Sequence, residues 1–192
     1  MSASIAGEPV AQRRASPLSP ACASPCALPA EAYERPKEIM NQTESIQIRQ
    51  ASVADIELLV PLFDAYRVFY GKSSDLAVAR AFLQERFQHN QSVLFIALRS
   101  NGEALGFTQL YPSFSSVSVA RTFILNDLYV VPEARRSGVA AKLLEAAANY
   151  GRTHGAIRLS LSTAIDNETA QALYVSQGWV RDTKFCAYSL PL

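Results

Sequence analysis

Between Val130 and Gly151 the chain reads VVPEARRSGVAAKLLEAAANYG. An apolar strand ends at a proline, two arginines and a glycine follow, and a helical period begins at once. The first turn of a helix carries unpaired backbone N–H groups and the positive end of the macrodipole. Together these make an anion site. Gly138 lets a ligand approach the backbone closely because it has no Cβ, and Ala140 keeps the next turn narrow. Arg135 and Arg136 add charge and forked donors suited to phosphate oxygens. The stretch therefore predicts a helix mouth that takes a diphosphate. The patterns GxGxxG and GxxxxGK[ST] are both absent, which disfavours nucleotide binding of either kind.

The elements around that loop follow from periodicity. IQIRQA alternates apolar and polar residues and predicts a strand. SVADIELLVPLFDAYRVFYG predicts a helix: Ser52 is a good N-cap, the first turn is acidic, and Ile56, Leu59, Val60 and Phe63 share a face. Pro61 falls inside it and is expected to kink or divide it. A second helix spans SDLAVARAFLQERFQHN, with Leu76, Ala79, Leu83 and Phe87 as its apolar stripe. Two strands flank Asn101-Gly102, a dipeptide suited to a tight hairpin turn. RTFILNDLYVV is a long strand. The helix after it turns Val139, Leu143, Leu144 and Ala147 inward and ends at Gly151 or Gly155. AIRLSLST is a strand, and NETAQALYVSQG is a short helix capped by Asn167 and stopped by Gly178. DTKFCAYSLPL closes the chain as a strand, with a short extra strand at Trp179-Val180 left open. The order β-α-α-β-β-β-α-β-α-β implies an α/β fold, a mixed sheet with helices on both faces.

Composition removes several functions. A net charge of +1 argues against general nucleic-acid binding, which needs a basic face. No apolar run approaches the roughly 18 to 20 residues that span a bilayer, so no membrane role is expected. The three cysteines are Cys22, Cys26 and Cys186. A structural zinc site needs about four ligands, and His89 and His154 lie far from each other and from the cysteines. The reading is no metal and free thiols in a reducing, cytoplasmic compartment. Residues 1–45 form an Ala/Ser/Pro-rich extension whose prolines block helix and strand, so it is expected to be disordered. The prolines after Arg13-Arg14 also make a poor apolar export segment. Met40, the second of two methionines, is an alternative start, and 46–192 is the compact domain.

Arg135-x-x-Gly138-x-Ala140, set directly after a strand and opening a helix, resembles the [RQ]-x-x-G-x-[GA] signature of the GNAT superfamily of acyl-CoA-dependent N-acetyltransferases. DNETAQALYVSQGW resembles that superfamily's N-x-x-A-x-x-x-Y-x-x-x-G-[FW] block, with Asn167, Ala170, Tyr174, Gly178 and Trp179 in place. The element order matches from about Ile46 to Leu192. The resemblance implies a twisted mixed sheet of about seven strands flanked by about four helices. It also implies a V-shaped split between the strand Asn126–Val131 and the strand Ile157–Thr163, which holds the pantetheine arm of acetyl-CoA.

By that resemblance the loop Arg135, Arg136, Ser137, Gly138, Val139 and Ala140 cradles the pyrophosphate. Backbone groups of Leu128, Tyr129 and Val130 pair with the arm, and one N–H can serve as oxyanion donor. Asn167 caps its helix and contacts the arm. Tyr174 matches the tyrosine that protonates the leaving thiolate, since a phenol pKa of about 10 lies near that of a thiol. The base stays open. Asn126 stands where several small-amine enzymes carry glutamate, and it takes no proton at neutral pH. Asp127 is a candidate base or ammonium anchor, and water is the other. Adjacent strand residues point to opposite faces, so one of the two faces the cleft.

Tyr66, Tyr70, Tyr111 and Phe114, with charge from Asp64 or Asp75, are the candidate acceptor residues and lean towards a small amine, a polyamine or lysine-like compound. A protein lysine or N-terminal amine is the rival acceptor. A non-catalytic acyl-CoA-binding module and a purely structural domain are the rival functions. Relatives of this kind often dimerise, which leaves a homodimer open.

Overall fold

The alternating segment near Ile46 forms an edge strand, β1 (Gln47–Gln50), in a computed structural model that describes residues 45–192. The expectations about Arg13, Arg14, Cys22, Cys26 and Met40 lie outside those residues. Ser52 does not start the first α-helix directly. It opens a 3-10 turn, Val53–Asp55, whose Asp55 carboxylate accepts the Ser52 N–H at 2.8 Å and is gripped by both ends of the Arg49 guanidinium at 2.6 and 2.8 Å. That grip holds the Asp55 pKa well below the usual carboxylate range. Helix α1 (Ile56–Phe69) follows and runs through Pro61 as one helix. Near the N-terminus a proline removes only one hydrogen bond, to a first-turn carbonyl, so the helix survives it.

Helix α2 (Leu76–Gln88) is capped by Asp75, whose side chain accepts the Val78 N–H at 3.0 Å. Of its expected stripe, Ala79 and Leu83 are buried, whereas Leu76, in the first turn, is exposed. Strands β2 (Val93–Leu98), β3 (Ala104–Ser115) and β4 (Ala120–Val130) form an antiparallel meander. A Cβ at Gly106 would strike the Tyr129 carbonyl, so only glycine lets β3 and β4 approach there. Helix α3 (Val139–Thr153) crosses back, and β5 (Leu159–Ser160) joins β4 in parallel. Helix α4 (Glu168–Ser176) comes last. The strand order is β1-β2-β3-β4-β5.

The sheet has an apolar cluster on each face. On one, Leu59, Val60 and Phe63 of α1 pack with Leu83, Ile96 and Phe107. On the other, Val139, Leu143, Leu144 and Ala147 of α3 pack with Leu105, Leu110 and Phe123. Among the described residues no helix is long and apolar enough to cross a membrane.

Two expectations about strands are corrected. The described residues form five strands rather than about seven. Neither the closing segment nor Trp179-Val180 is a strand. The reason is the lack of a template: β5 offers a two-residue ladder, and Asp182 Oδ1 accepts the Lys184 and Phe185 N–H groups at 2.8 and 3.1 Å, which turns the chain locally. Phe185, Tyr188, Leu190 and Leu192 are all exposed.

Strand β4 also carries a bulge. Leu110 opposes Leu125 and Gln109 opposes Asp127, so Asn126 has no residue opposite it.

Candidate active site

After Val130 the chain passes a 3-10 turn, Pro132–Ala134, and reaches the mouth of α3. Arg136 has φ of 62° and Gly138, the N-cap of α3, has φ of 85°. A left-handed arginine is uncommon and costs energy. Left-handed residues alternating with ordinary ones turn successive N–H groups to one side and form an anion-binding concavity. A Cβ on Gly138 would meet no protein atom within 4 Å, so the room over its backbone is open. Ser137 Oγ donates to the Ala134 carbonyl at 2.6 Å and braces the loop. Arg135 Nε donates to the Val130 carbonyl at 3.1 Å, with its guanidinium 6.0 Å from the Tyr129 ring centroid.

This mouth opens into a cavity of about 590 Å³. Pairing of β4 with β5 covers only Phe123 with Leu159 and Ile124 with Ser160. Beyond Ile124 the cavity lies between β4, which contributes Leu125, Asn126, Leu128, Tyr129 and Val130, and the segment Leu161, Ser162 and Thr163. The α3 mouth supplies Arg135, Arg136, Gly138, Val139 and Ala140, helix α4 supplies Asn167 and Tyr174, and the end of α1 supplies Tyr66, Phe69 and Tyr70. Asn167 also caps α4 by accepting the Ala170 N–H at 3.2 Å. Tyr174 stands 6.2 Å from Trp179, centroid to centroid, and burial raises its phenol pKa above the ordinary value.

Six sequence candidates do not line the cavity: Ser137, Asp127, Tyr111, Phe114, Asp64 and Asp75. Phe114 is exposed at the far end of β3 under the Arg121 guanidinium. Tyr111 is half-buried, its pKa pushed up to about 12 by burial and then by the Asp127 charge. Asp64 and Asp75, expected to add charge, hold structure instead. Asp64 accepts from Ser74 Oγ at 2.6 Å and from the Asp75 N–H at 2.8 Å, and pairs with Arg67.

Asp127 lies just behind the cavity wall and is 4% exposed. The bulge corrects the alternation argument: Asn126 Nδ2 donates to Asp127 Oδ1 at 3.0 Å, so the two side chains meet instead of parting. Tyr66 lies over them, its hydroxyl donating to the Asn126 carbonyl at 3.5 Å. Burial pushes the Asp127 pKa up, and the nearby Tyr66 hydroxyl and the Asn126 amide only partly offset it. A carboxyl whose folded pKa is raised favours the fold below its unfolded pKa and opposes it as pH rises through the folded pKa. Asp127→Asn keeps an acceptor for the Asn126 amide and removes the charge. The variant is expected to melt at a higher temperature than the parent at pH 7, with the gap narrowing as pH falls towards the ordinary value of 3.8. Melting curves across that range check it, and a lower melting temperature at pH 7 would contradict the assignment.

Residues 59–179 match the Acetyltransferase (GNAT) family. The chain belongs to the GNAT family. Over 145 residues it is 49% identical to the uncharacterized N-acetyltransferase YhfO of Bacillus subtilis (strain 168), covering 76% of this chain and 97% of that protein. A crystal structure of a probable acetyltransferase, 46% identical, superposes with a TM-score of 0.73 and covers 76% of this chain and 97% of that one. At 22% identity, an aminoglycoside N-acetyltransferase in complex with CoA shares the fold, with a TM-score of 0.63 over 78% of this chain and 97% of that one. Transferase chemistry of the acetyltransferase type thus comes with the GNAT membership.

Leu161, Ser162 and Thr163 line the cavity on the strand segment that the resemblance set beside the arm, and Thr169 and Leu173 fall within the Asn167–Trp179 block without being named by it. Phe69 escapes sequence reasoning. Its signal is the neighbourhood of Tyr66 and Tyr70, which brackets it on the last turn of α1.

Proposed function

We propose that residues 46–192 carry an acetyl-CoA-dependent N-acetyltransferase that acts on a primary amine of a small molecule by direct attack within a ternary complex. The observation that carries this reading is the open side of β4, set between an anion-binding helix mouth and the Tyr174 phenol. The residues fit a coenzyme A. The amides from Arg136 to Ala140, with the two arginines, suit its diphosphate. The unpartnered stretch of β4 suits its amide-bearing arm as an added strand would. Because Arg135 already occupies the Val130 carbonyl, Leu128 and Tyr129 are the better placed for those backbone contacts. Acetyl-CoA supplies an activated acetyl thioester.

The chain's own groups do the rest. The bond formed is nitrogen to carbonyl carbon, and the bond broken is carbonyl carbon to sulfur. Two protons leave the nitrogen, one reaches the sulfur, and one is released overall. Asn126 presents its carbonyl to the amine, and Asp127 behind it, or water, takes the first proton from the ammonium before attack. Tyr174 gives its proton to the leaving thiolate, and the second nitrogen proton, lost as the tetrahedral adduct collapses, restores the phenol. Asn167 fixes the start of α4 and with it the place of Tyr174.

Thermal shift with acetyl-CoA, followed by free-thiol release on adding amines, tests the proposal. At 100 times its Kd a ligand adds about 2.7 kcal/mol of stability, so a clear rise in Tm is expected. Neither a shift nor thiol release would remove the acetyltransferase reading.

A further inference from the structure

We infer that the acceptor is a monoamine carried on an apolar or aromatic body, and that a polycation is a poor acceptor. This rests on the N-acetyltransferase reading and names its substrate class. The cavity has two chemically different ends. At the α3 mouth lie Arg135 and Arg136. At the other end Tyr66, Phe69 and Tyr70 form a continuous aromatic wall, with ring centroids 5.0 Å apart for Tyr66 and Tyr70 and 5.2 Å for Phe69 and Tyr70. Phe69 is 58% exposed and Tyr70 54%, an apolar area that an acceptor body would cover.

Among the described residues no carboxylate lines the cavity. The three acids that the sequence offers for this end are engaged otherwise. Asp64 is tied to Ser74, Asp75 and Arg67, and Asp75 caps α2. Asp127 is buried behind Asn126 and Tyr66. One amino group has a place at this end, beside the Asn126 carbonyl and the phenols of Tyr66 and Tyr174, with Asp127 one layer back. A second or third ammonium would lose its water against aromatic rings with no charge to meet it, which is unfavourable.

Aromatic faces do attract cations. A cage for them needs several faces turned to one point. Here the rings meet edge to face, at 68° for Tyr66 and Tyr70 and 90° for Phe69 and Tyr70, so much of each pair's contact is ring on ring. The arrangement is a wall for an apolar body rather than a cage for charge.

The experiment uses the full chain with acetyl-CoA and compares 2-phenylethylamine and hexylamine with spermidine and tobramycin, by thiol release and by mass of the amide product. The expected result is a kcat/KM at least tenfold higher for 2-phenylethylamine than for spermidine or tobramycin. Equal or better turnover of spermidine or tobramycin overturns the inference and leaves the acetyltransferase reading standing. Acetyl-CoA binding with no transfer to either monoamine also overturns it. Absence of acetyl-CoA binding sinks the acetyltransferase reading instead, so the two failures are distinguishable. Tyr70→Glu, at an exposed position, supplies a carboxylate to the wall. It is expected to lower the ratio of 2-phenylethylamine to spermidine turnover at least tenfold, and an unchanged ratio would show that α1 does not face the acceptor.

Discussion

Gly138→Val is expected to abolish the acetyl-CoA thermal shift and to cut kcat/KM at least 100-fold, which is about 2.7 kcal/mol. Two effects converge on this position. The backbone is left-handed, with φ of 85°, and an L residue there costs roughly 1–2 kcal/mol, more when β-branched. The space over Gly138 is also empty of protein, so valine methyls would stand where the diphosphate is proposed to lie. Gly138→Asn separates the two effects, because asparagine tolerates positive φ. The asparagine variant is expected to melt near the parent without ligand and still to lose most of its acetyl-CoA affinity. A valine variant with native Tm and an undiminished ligand shift would remove the α3 mouth from the binding site.

The parts of the fold that were legible in the sequence are those whose cause is local. Leu59, Val60 and Phe63 on α1, and Val139, Leu143, Leu144 and Ala147 on α3, are buried as their spacing requires, because each helix has one strongly apolar face. Leu76 shares its stripe's spacing but sits in the first turn of α2, where the helix has not yet reached its neighbours. The closing segment has strand-like alternation, yet a strand needs a partner, and β5 is too short to be one. The site shows the same division. The loop from Arg135 to Ala140 is one contiguous motif, so the sequence displays it. The bulge at Asn126 has no sequence marker and depends on the register of β3 against β4. Alternation therefore separated Asn126 from Asp127, while the folded chain joins them by a hydrogen bond. Asp64 looks like substrate charge in the sequence because its partner Ser74 lies ten residues away, across the turn between α1 and α2.

Tyr174→Phe is expected to lower kcat by about 10² to 10⁴-fold while acetyl-CoA still stabilises the protein as in the parent. The ring that packs near Trp179 is retained, so the fold should persist and only the hydroxyl is lost. Burial first, and then the nearby Tyr70, raise the Tyr174 pKa above 10.0. The phenol therefore keeps its proton through neutral pH, as an acid must before transfer. A group active when protonated loses its effect as pH rises through its pKa, so any alkaline limb due to Tyr174 lies above pH 10 and should vanish in the variant. Tyr66 is the competing donor. Burial and the charge of Asp127 raise its pKa as well, which makes it a weak acid towards a thiolate whose conjugate acid has a pKa of roughly 8.5. Its hydroxyl also donates to the Asn126 carbonyl at 3.5 Å. Tyr66→Phe should therefore act mainly on the KM for the amine and less on kcat. If Tyr66→Phe lost the larger share of kcat and Tyr174→Phe lost almost none, the proton would come from α1, and the α4 tyrosine would be a packing residue.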